Sequence, residues 1–481
     1  MHASQESCPP NITRAGNKWT ALCLVLLLMA GTEFLLRGPI RAVHVATDFN
    51  DFLSPYIQAR AWIHGLDPYS PQTLLRLWPT SVHRPGFLAR EVEDGSLLHN
   101  RGIPTAYPIT SLVLIAPLAL FPWNLAYALW LTVNVGLFLT MLGALLKLAH
   151  FPFRDSSAAL LIAAILALAP FHTGIVTGNV ALVAVELGVI AVWTTRQRHE
   201  IMTAIFIAAS VGLKPQIGLC FLLFYLRRGH WRVSGLTLAF LILLGALGIL
   251  RLEIGHTPWL ASYLIDNRSL LETGTLANFT RVNPTRFGLI NLQVVLFPLL
   301  GSIRSANFGA VSVSAIFFVI WLFAMRRTAN QADFELLDLS AIAIISLLPI
   351  YHRFYDAALL VLPLCWVFLS FRKARIFGTL SLLLMLPFLI PGGTILETMQ
   401  ANRRIPLTWA SRWWWELFVM PHQVWMLLLL SLLLLYEMTI YRLPPAFREY
   451  DRDASSVRPP GCRAACRPGP VNRVATVAVR R

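Results

Sequence analysis

Apolar runs of about 20 residues recur from Trp19 almost to the end of the chain, and no other feature limits its possible folds as much. The hydrocarbon core of a bilayer offers no water to unpaired backbone groups, so a spanning segment must satisfy its own hydrogen bonds, as a helix does. Composition agrees. The chain is 56% hydrophobic and 13% charged, where a soluble domain carries about 25% charged residues, and its mean hydropathy is +0.61. These features predict an all-α polytopic membrane protein with roughly 10 to 13 membrane-embedded helices.

The first run, Trp19 to Leu36, is long for a signal segment, and Thr32-Glu33-Phe34 and Arg37 stand where a small-residue cleavage site would be. It reads as an uncleaved span. Arg14 and Lys18 place residues 1–18 in the cytoplasm, and the membrane domain runs over 19–442. The net charge of +16 belongs to cytoplasmic loops, with no call for nucleic acid. The clusters Lys147/Arg154, Arg196/Arg198, Arg227/Arg228/Arg232, Arg326/Arg327, Arg372/Lys373/Arg375 and Arg442 share one side under three conditions. Segments 109–121 and 288–301 must not cross, and 201–226, broken at Gly212-Leu213-Lys214-Pro215, must enter and return. Trp413-Trp414-Trp415 reads as an interfacial anchor. Residues 443–481, rich in Pro and Arg, read as a disordered cytoplasmic tail. The six cysteines form no disulfide framework.

The long polar segment 37–108 emerges on the far side as a first outer loop. Within it Asp48-Phe49 and Asp51-Phe52 would share a face at helical spacing. A carboxylate at a membrane surface beside aromatic residues can act as a base on a hydroxyl; an aspartate there can equally cap a helix. His44, Asp48 and Asp51 are too weak a pattern for a metal site, and no metal is expected. Lys214 lies inside an apolar run and either snorkels or lines a cavity that receives an anionic headgroup. Glu186 is a second intramembrane charge. His172 to Asn179 brings small and polar residues to an outer helix end. In Tyr351-His352-Arg353-Phe354-Tyr355-Asp356, a His, an Arg and an Asp can bind phosphate and orient one another, or serve a helix junction.

The pattern Asp51-Phe52-x3-Tyr56-x2-Ala59-Arg60-Ala61-Trp62-x2-Gly65-x-Asp67-Pro68-Tyr69 resembles the first outer loop of glycosyltransferase family 87. Tyr107-Pro108, Pro117-Leu118-Ala119, Pro122-Trp123, Gly178-Asn179, Leu213-Lys214-Pro215, Tyr351-His352, Tyr355-Asp356 and Leu362-Pro363-Leu364 follow in the family's order, over about residues 44–365. The resemblance implies a GT-C-like transmembrane helix bundle that takes a sugar, typically mannose, from a polyprenyl-phosphate donor, with no cofactor. It implies an essential acid in the first outer loop, and its register selects Asp51, with Asp48 as the alternative. Lys214, His352 and Arg353 would then meet the donor phosphate, and Arg60, Tyr69, Tyr107, Asn179, Tyr355 and Asp356 would line the substrate cavity. The chain departs from the usual pattern in two places: no Gln precedes Asn179 in a Gln-x-Asn signature, and His352 is followed by Arg353 and not preceded by Asp.

The expected enzyme is thus a hexosyltransferase acting on a lipid or glycan acceptor, with its site on the periplasmic side of a bacterial plasma membrane. A polytopic transporter or lipid flippase is the alternative. That function favours internal repeats and charges at the bundle midplane, whereas the polar features here gather at one face.

Overall fold

Helices dominate the computed structural model, which describes residues 12–46, 48, 50–83, 107–272, 277–328, 334–371 and 374–440. Six are long and apolar enough to cross a membrane: Lys18–His44, Trp123–Leu148, Trp231–Ile254, Ile303–Met325, Arg375–Ala401 and His422–Thr439. Ser156–Ala167 and Ala169–Thr177, bent by 51°, count as a seventh if they form one broken span. Among the described residues there is no strand, only an isolated antiparallel bridge between Leu289 and Arg353. The protein is therefore an all-α, multi-pass membrane protein. Full-length spans are fewer than the ten to thirteen embedded helices expected, and shorter apolar helices such as Ile109–Ala119 and Pro215–Arg227 fill the difference. Ile109–Ala119 and Gln293–Leu300, of 11 and 8 residues, reach only about 16 and 12 Å, well short of a hydrocarbon core of about 30 Å.

The first span is longer than its apolar run. It continues through a π-helical turn at Leu36–Ile40 and a helical turn at Arg41–His44, so residues 37–44, expected in the outer loop, are helical. Residues 1–11, most of the loop's second half (84–106) and the tail from 441 lie outside the described residues.

Pro215 decides the shape of the 201–226 segment. A residue before proline is pushed out of the helical region, and Lys214 is extended, at φ −147° and ψ 91°. Glu200–Leu213 ends there and Pro215–Arg227 begins, with Pro215 in its first turn, where its missing N–H costs nothing. The two helices fold back on each other. A Cβ on Gly218 would lie 2.3 Å from the Val211 nitrogen, so only glycine permits the approach. Thr195 Oγ1 lies 3.2 Å from Thr203 Oγ1 and 2.8 Å from the Tyr225 hydroxyl, which brings the start of one helix and the end of the other to one level. The segment is a helical hairpin with Lys214 at its tip.

Leu53–Ile63, expected on a surface loop, is buried along nearly its whole length, with Phe52, Leu53, Tyr56, Ile57, Ala59 and Ala61 inaccessible to solvent. It packs on Ile109–Ala119 and reaches Trp231–Ile254, where Trp62 Nε1 donates to the Gly248 carbonyl (2.9 Å) and Arg251 donates to Ile63 (2.6 Å). Helix Trp123–Leu148 grips the turn before it. Trp123, Tyr127 and Trp130 fall on one helical face, and Phe52 stacks on Trp130 with centroids 4.6 Å apart at 7°. The polar edges of the same three rings donate to the carbonyls of Ala46, Ala42 and Gly178.

A separate apolar cluster lies beside the 351–356 turn and includes Phe279, Phe287, Leu289, Val294, Ile405, Trp415 and Met420. Ile290 N–H donates to His352 O (3.0 Å) and Leu292 N–H to Leu348 O (3.0 Å), which tie this cluster to the turn. Trp415 is 9% exposed, in contrast to Trp413 at 70%. The tryptophan triplet is therefore split: Trp413 and Trp414 face outward, whereas Trp415 is core.

Candidate active site

Asp51 stands at the turn where the gripped segment enters its buried helix. Its N–H donates to the Thr177 carbonyl (2.7 Å), which fixes the backbone to the end of Ala169–Thr177. Asn50, not an aspartate, caps the following helix, through Oδ1 accepting from Leu53 N–H (3.2 Å). That leaves the Asp51 carboxylate for other work. Its Oδ2 accepts from Asn179 Nδ2 at 2.9 Å. Asp48 is exposed in a bend and shares no helical face with Asp51. Among the described residues no three His, Cys, Asp or Glu side chains converge, the His44, Asp48 and Asp51 set included.

Asn179 is held by both ends of its amide. Gly178 closes the preceding helix in the left-handed region, at φ +66°, and a Cβ there would lie 3.0 Å from the Phe52 Cβ. Asn179 then starts Val180–Arg196, its Oδ1 accepting from Ala181 N–H at 2.9 Å. Because an N–H must point at an oxygen, that contact fixes which end of the amide is which and turns the NH₂ toward Asp51.

The 351–356 turn lies close to Asp51. The Asp51 charge is felt at Tyr107, Tyr351, Arg353 and Tyr355. Burial, and after it the Asp51 charge, pushes the Tyr107 phenol well above its usual range, and burial pushes Tyr351 up to about 12. Both stay neutral hydrogen-bonding groups at any physiological pH. Asp356 is the hub beneath them. It is fully buried and accepts from Lys214 Nζ (2.6 Å), His352 Nδ1 (2.9 Å) and the Arg353 N–H (3.0 Å). Lys214 is itself buried and lies 5.0 Å above the Tyr355 ring, so it does not snorkel. Its charge is already matched by Asp356, although an ammonium keeps further donors. His352 is fully buried, with Nε2 unpartnered among the described residues.

Arg353 differs from Lys214. Its guanidinium makes no ion pair with a described carboxylate, and it extends toward Gly288, where an added Cβ would lie 3.8 Å from Nη2 and 3.4 Å from Thr394 Oγ1. A planar guanidinium, always charged, can grip two phosphate oxygens at once.

Eight of the sequence-predicted residues therefore gather in one place: Asp51, Tyr107, Asn179, Lys214, His352, Arg353, Tyr355 and Asp356. Two do not. Arg60 sits at the far end of its helix from Asp51 and donates to the Tyr56 hydroxyl (2.9 Å), which in turn donates to the Phe121 carbonyl. Tyr69 is buried and acts at one remove, donating to the Tyr107 carbonyl at 3.0 Å while Asp67 caps its N–H at 2.9 Å. Glu186 is buried, and neither carboxyl oxygen has a partner among the described residues.

Sequence reasoning missed Asn50, Phe52, Trp130 and Tyr351 as parts of the site. The 4-then-3 spacing of Trp123, Tyr127 and Trp130 was a signal available for the aromatic clamp.

Comparison with known proteins narrows what this geometry serves. No curated protein and no solved structure matches the chain. The family model of glycosyltransferase family 87 matches residues 105–349, just over half of it, from just before Tyr107 to just before the 351–356 turn. The chain is a membrane glycosyltransferase and belongs to glycosyltransferase family 87.

Proposed function

We propose that this glycosyltransferase, of GT-C type, moves a hexose, mannose first among them, from a polyprenyl-phosphate donor to a hydroxyl of a lipid or glycan acceptor. The observation that carries the proposal is an Asp51 carboxylate oriented by Asn179, with Arg353, a guanidinium in no ion pair among the described residues, close enough to feel its charge. Asp51 Oδ1 has no partner among the described residues and is available to the acceptor.

In the proposed step, Asp51 takes the proton of the acceptor hydroxyl as that oxygen bonds to the anomeric carbon. The bond from that carbon to the phosphate oxygen breaks on the opposite side, and the electron pair leaves with the polyprenyl phosphate. A single displacement inverts the anomeric configuration. Arg353, and the remaining N–H groups of Lys214, neutralise charge where it develops on the leaving phosphate. His352 Nε2 is a further polar atom for the phosphate or a bridging water. The site would work on the outer, periplasmic face of a bacterial plasma membrane.

The test is transfer by purified protein from radiolabelled polyprenyl-phosphate sugars to a panel of lipid and glycan acceptors. Transfer from polyprenyl-phosphate mannose with inversion is expected. Transfer from a nucleotide sugar alone, or with retention, overturns the proposal.

A further inference from the structure

Asn179 was expected to line the substrate cavity, but its amide has little left to offer a substrate. Its Oδ1 takes the Ala181 N–H and its Nδ2 donates to Asp51 Oδ2, each at 2.9 Å, and the residue is 3% exposed. Gly178 fixes where it starts the next helix, and Trp130 donates to the Gly178 carbonyl at 2.9 Å. The same junction supplies the Thr177 carbonyl that holds the Asp51 N–H. The helix junction thus binds Asp51 twice, once by backbone and once by side chain.

We infer that Asn179 is a positioning residue: it holds one oxygen of the Asp51 carboxylate so that the other points at the acceptor hydroxyl, and it makes no contact with substrate. The inference rests on the proposal that Asp51 is the base. Among the described residues the charged and titratable groups that feel Asp51 are Tyr107, Tyr351, Arg353 and Tyr355, and Asp356, which acts on the same four, is neutralised by Lys214. Arg353 is the cation of the set and makes no ion pair among the described residues, and residues 177–179 of the junction carry no charge.

The cap and the donation can be separated by mutation. Asn179→Asp keeps an oxygen for the Ala181 N–H, since aspartate caps helices as well as asparagine. It cannot donate to Asp51, and it places a like charge beside it. The acidic limb of the kcat/KM profile should then move up by about one pH unit or more, because a like charge disfavours ionisation of Asp51. Asn179→Ser keeps a cap, adds no charge and is too short to reach Asp51. It should lower kcat by roughly tenfold, the loss that one donor to a reacting group commonly brings, with KM for donor and acceptor unchanged. Thermal unfolding in detergent should stay near wild type for Asn179→Ser and fall for Asn179→Asp, whose like charge destabilises the folded state, and the Ser variant carries the test alone if the Asp variant fails to fold.

A raised KM with unmoved kcat and an unmoved limb would show that Asn179 touches substrate and would overturn the inference. Two further variants separate this from failure of the base itself. Full activity in Asp51→Asn sinks the base. If Asp51→Asn is inactive, Asp51→Asn/Asn179→Ser should lose nothing more, and a further loss multiplied on top sinks only the role of Asn179.

Discussion

At the scale of single residues, the two aspartates of the opening motif are now unlike each other. Asp51→Asn keeps size and most hydrogen bonding but cannot take a proton, so turnover should fall by about 10²–10⁴-fold with donor binding preserved. Asp48→Asn, at an exposed bend, should change turnover little. Turnover and donor binding of both variants, measured side by side, decide it, and equal activity in the two removes Asp51 as the base. Lys214 calls for a revised expectation. From sequence, Lys214→Met should weaken donor use in a well-folded protein. In the structure that change strips Asp356 of its buried partner, and breaking a buried pair on one side costs about 3–5 kcal/mol. A lower unfolding temperature is expected for Lys214→Met, partly restored in Lys214→Met/Asp356→Asn, where no charge is left alone. A single variant as stable as wild type would show that the pair contributes nothing. Residue types and order revealed Asp51, Lys214 and the 351–356 turn. They did not reveal that Asp356 is the common acceptor, because a contact across 142 residues leaves no local pattern.

Between elements, the hydrophobic runs marked where helices lie but not where they bend. The bends follow from proline and glycine, whose effects are local and readable: Pro215 extends Lys214, and Gly178 takes a left-handed turn. What could not be read is that Leu53–Ile63 is buried along nearly its whole length. Its sequence mixes Ser54, Gln58 and Arg60 with apolar residues and so resembles a surface helix. It is covered because Phe52 and Tyr56 are enclosed by rings from a distant span. The two junction glycines should therefore be intolerant. Gly178→Ala must hold a left-handed residue, at about 1–2 kcal/mol, and it presses a methyl on Phe52. Gly218→Ala sets a methyl against the Val211 backbone and should open the hairpin. Gly143, with nothing within 4 Å of an added Cβ, is the control: Gly143→Ala should be neutral or gain up to about 1 kcal/mol from helix propensity. Thermal unfolding of the three variants tests the ranking, and a Gly218→Ala protein as stable as the Gly143→Ala one would contradict the hairpin packing.

For the molecule as a whole, the positive charges predict sidedness and the geometry makes that prediction testable at chosen points. Val180–Arg196 begins beside Asp51 and ends at Arg196, about 25 Å away at the rise of an α-helix, most of the depth of a hydrocarbon core. Its first end carries the site. Its second carries Thr195 with the open end of the hairpin, and there Arg196 pairs with Glu335 at 3.4 Å while the half-buried Arg228 pairs with the buried Asp338. Gln72, beyond the buried loop helix, and Arg403, near the Ile405 cluster beside the 351–356 turn, are exposed at the site end; Arg198 and Arg232 are exposed at the other. Cysteines placed singly at these four positions, with Cys8, Cys462 and Cys466 replaced by serine, should react with an impermeant maleimide in two groups. Gln72 and Arg403 should label in intact cells, and Arg198 and Arg232 only after permeabilisation. Background should be low, because Cys23, Cys220 and Cys365 are buried. Labelling of Arg198 from outside along with Gln72 would break the assignment of the basic loops to the cytoplasm. Labelling of Arg198 and Arg232 in intact cells, with Gln72 and Arg403 reached only after permeabilisation, would put the candidate site on the cytoplasmic face, and the donor would then have to be sought among sugars presented there.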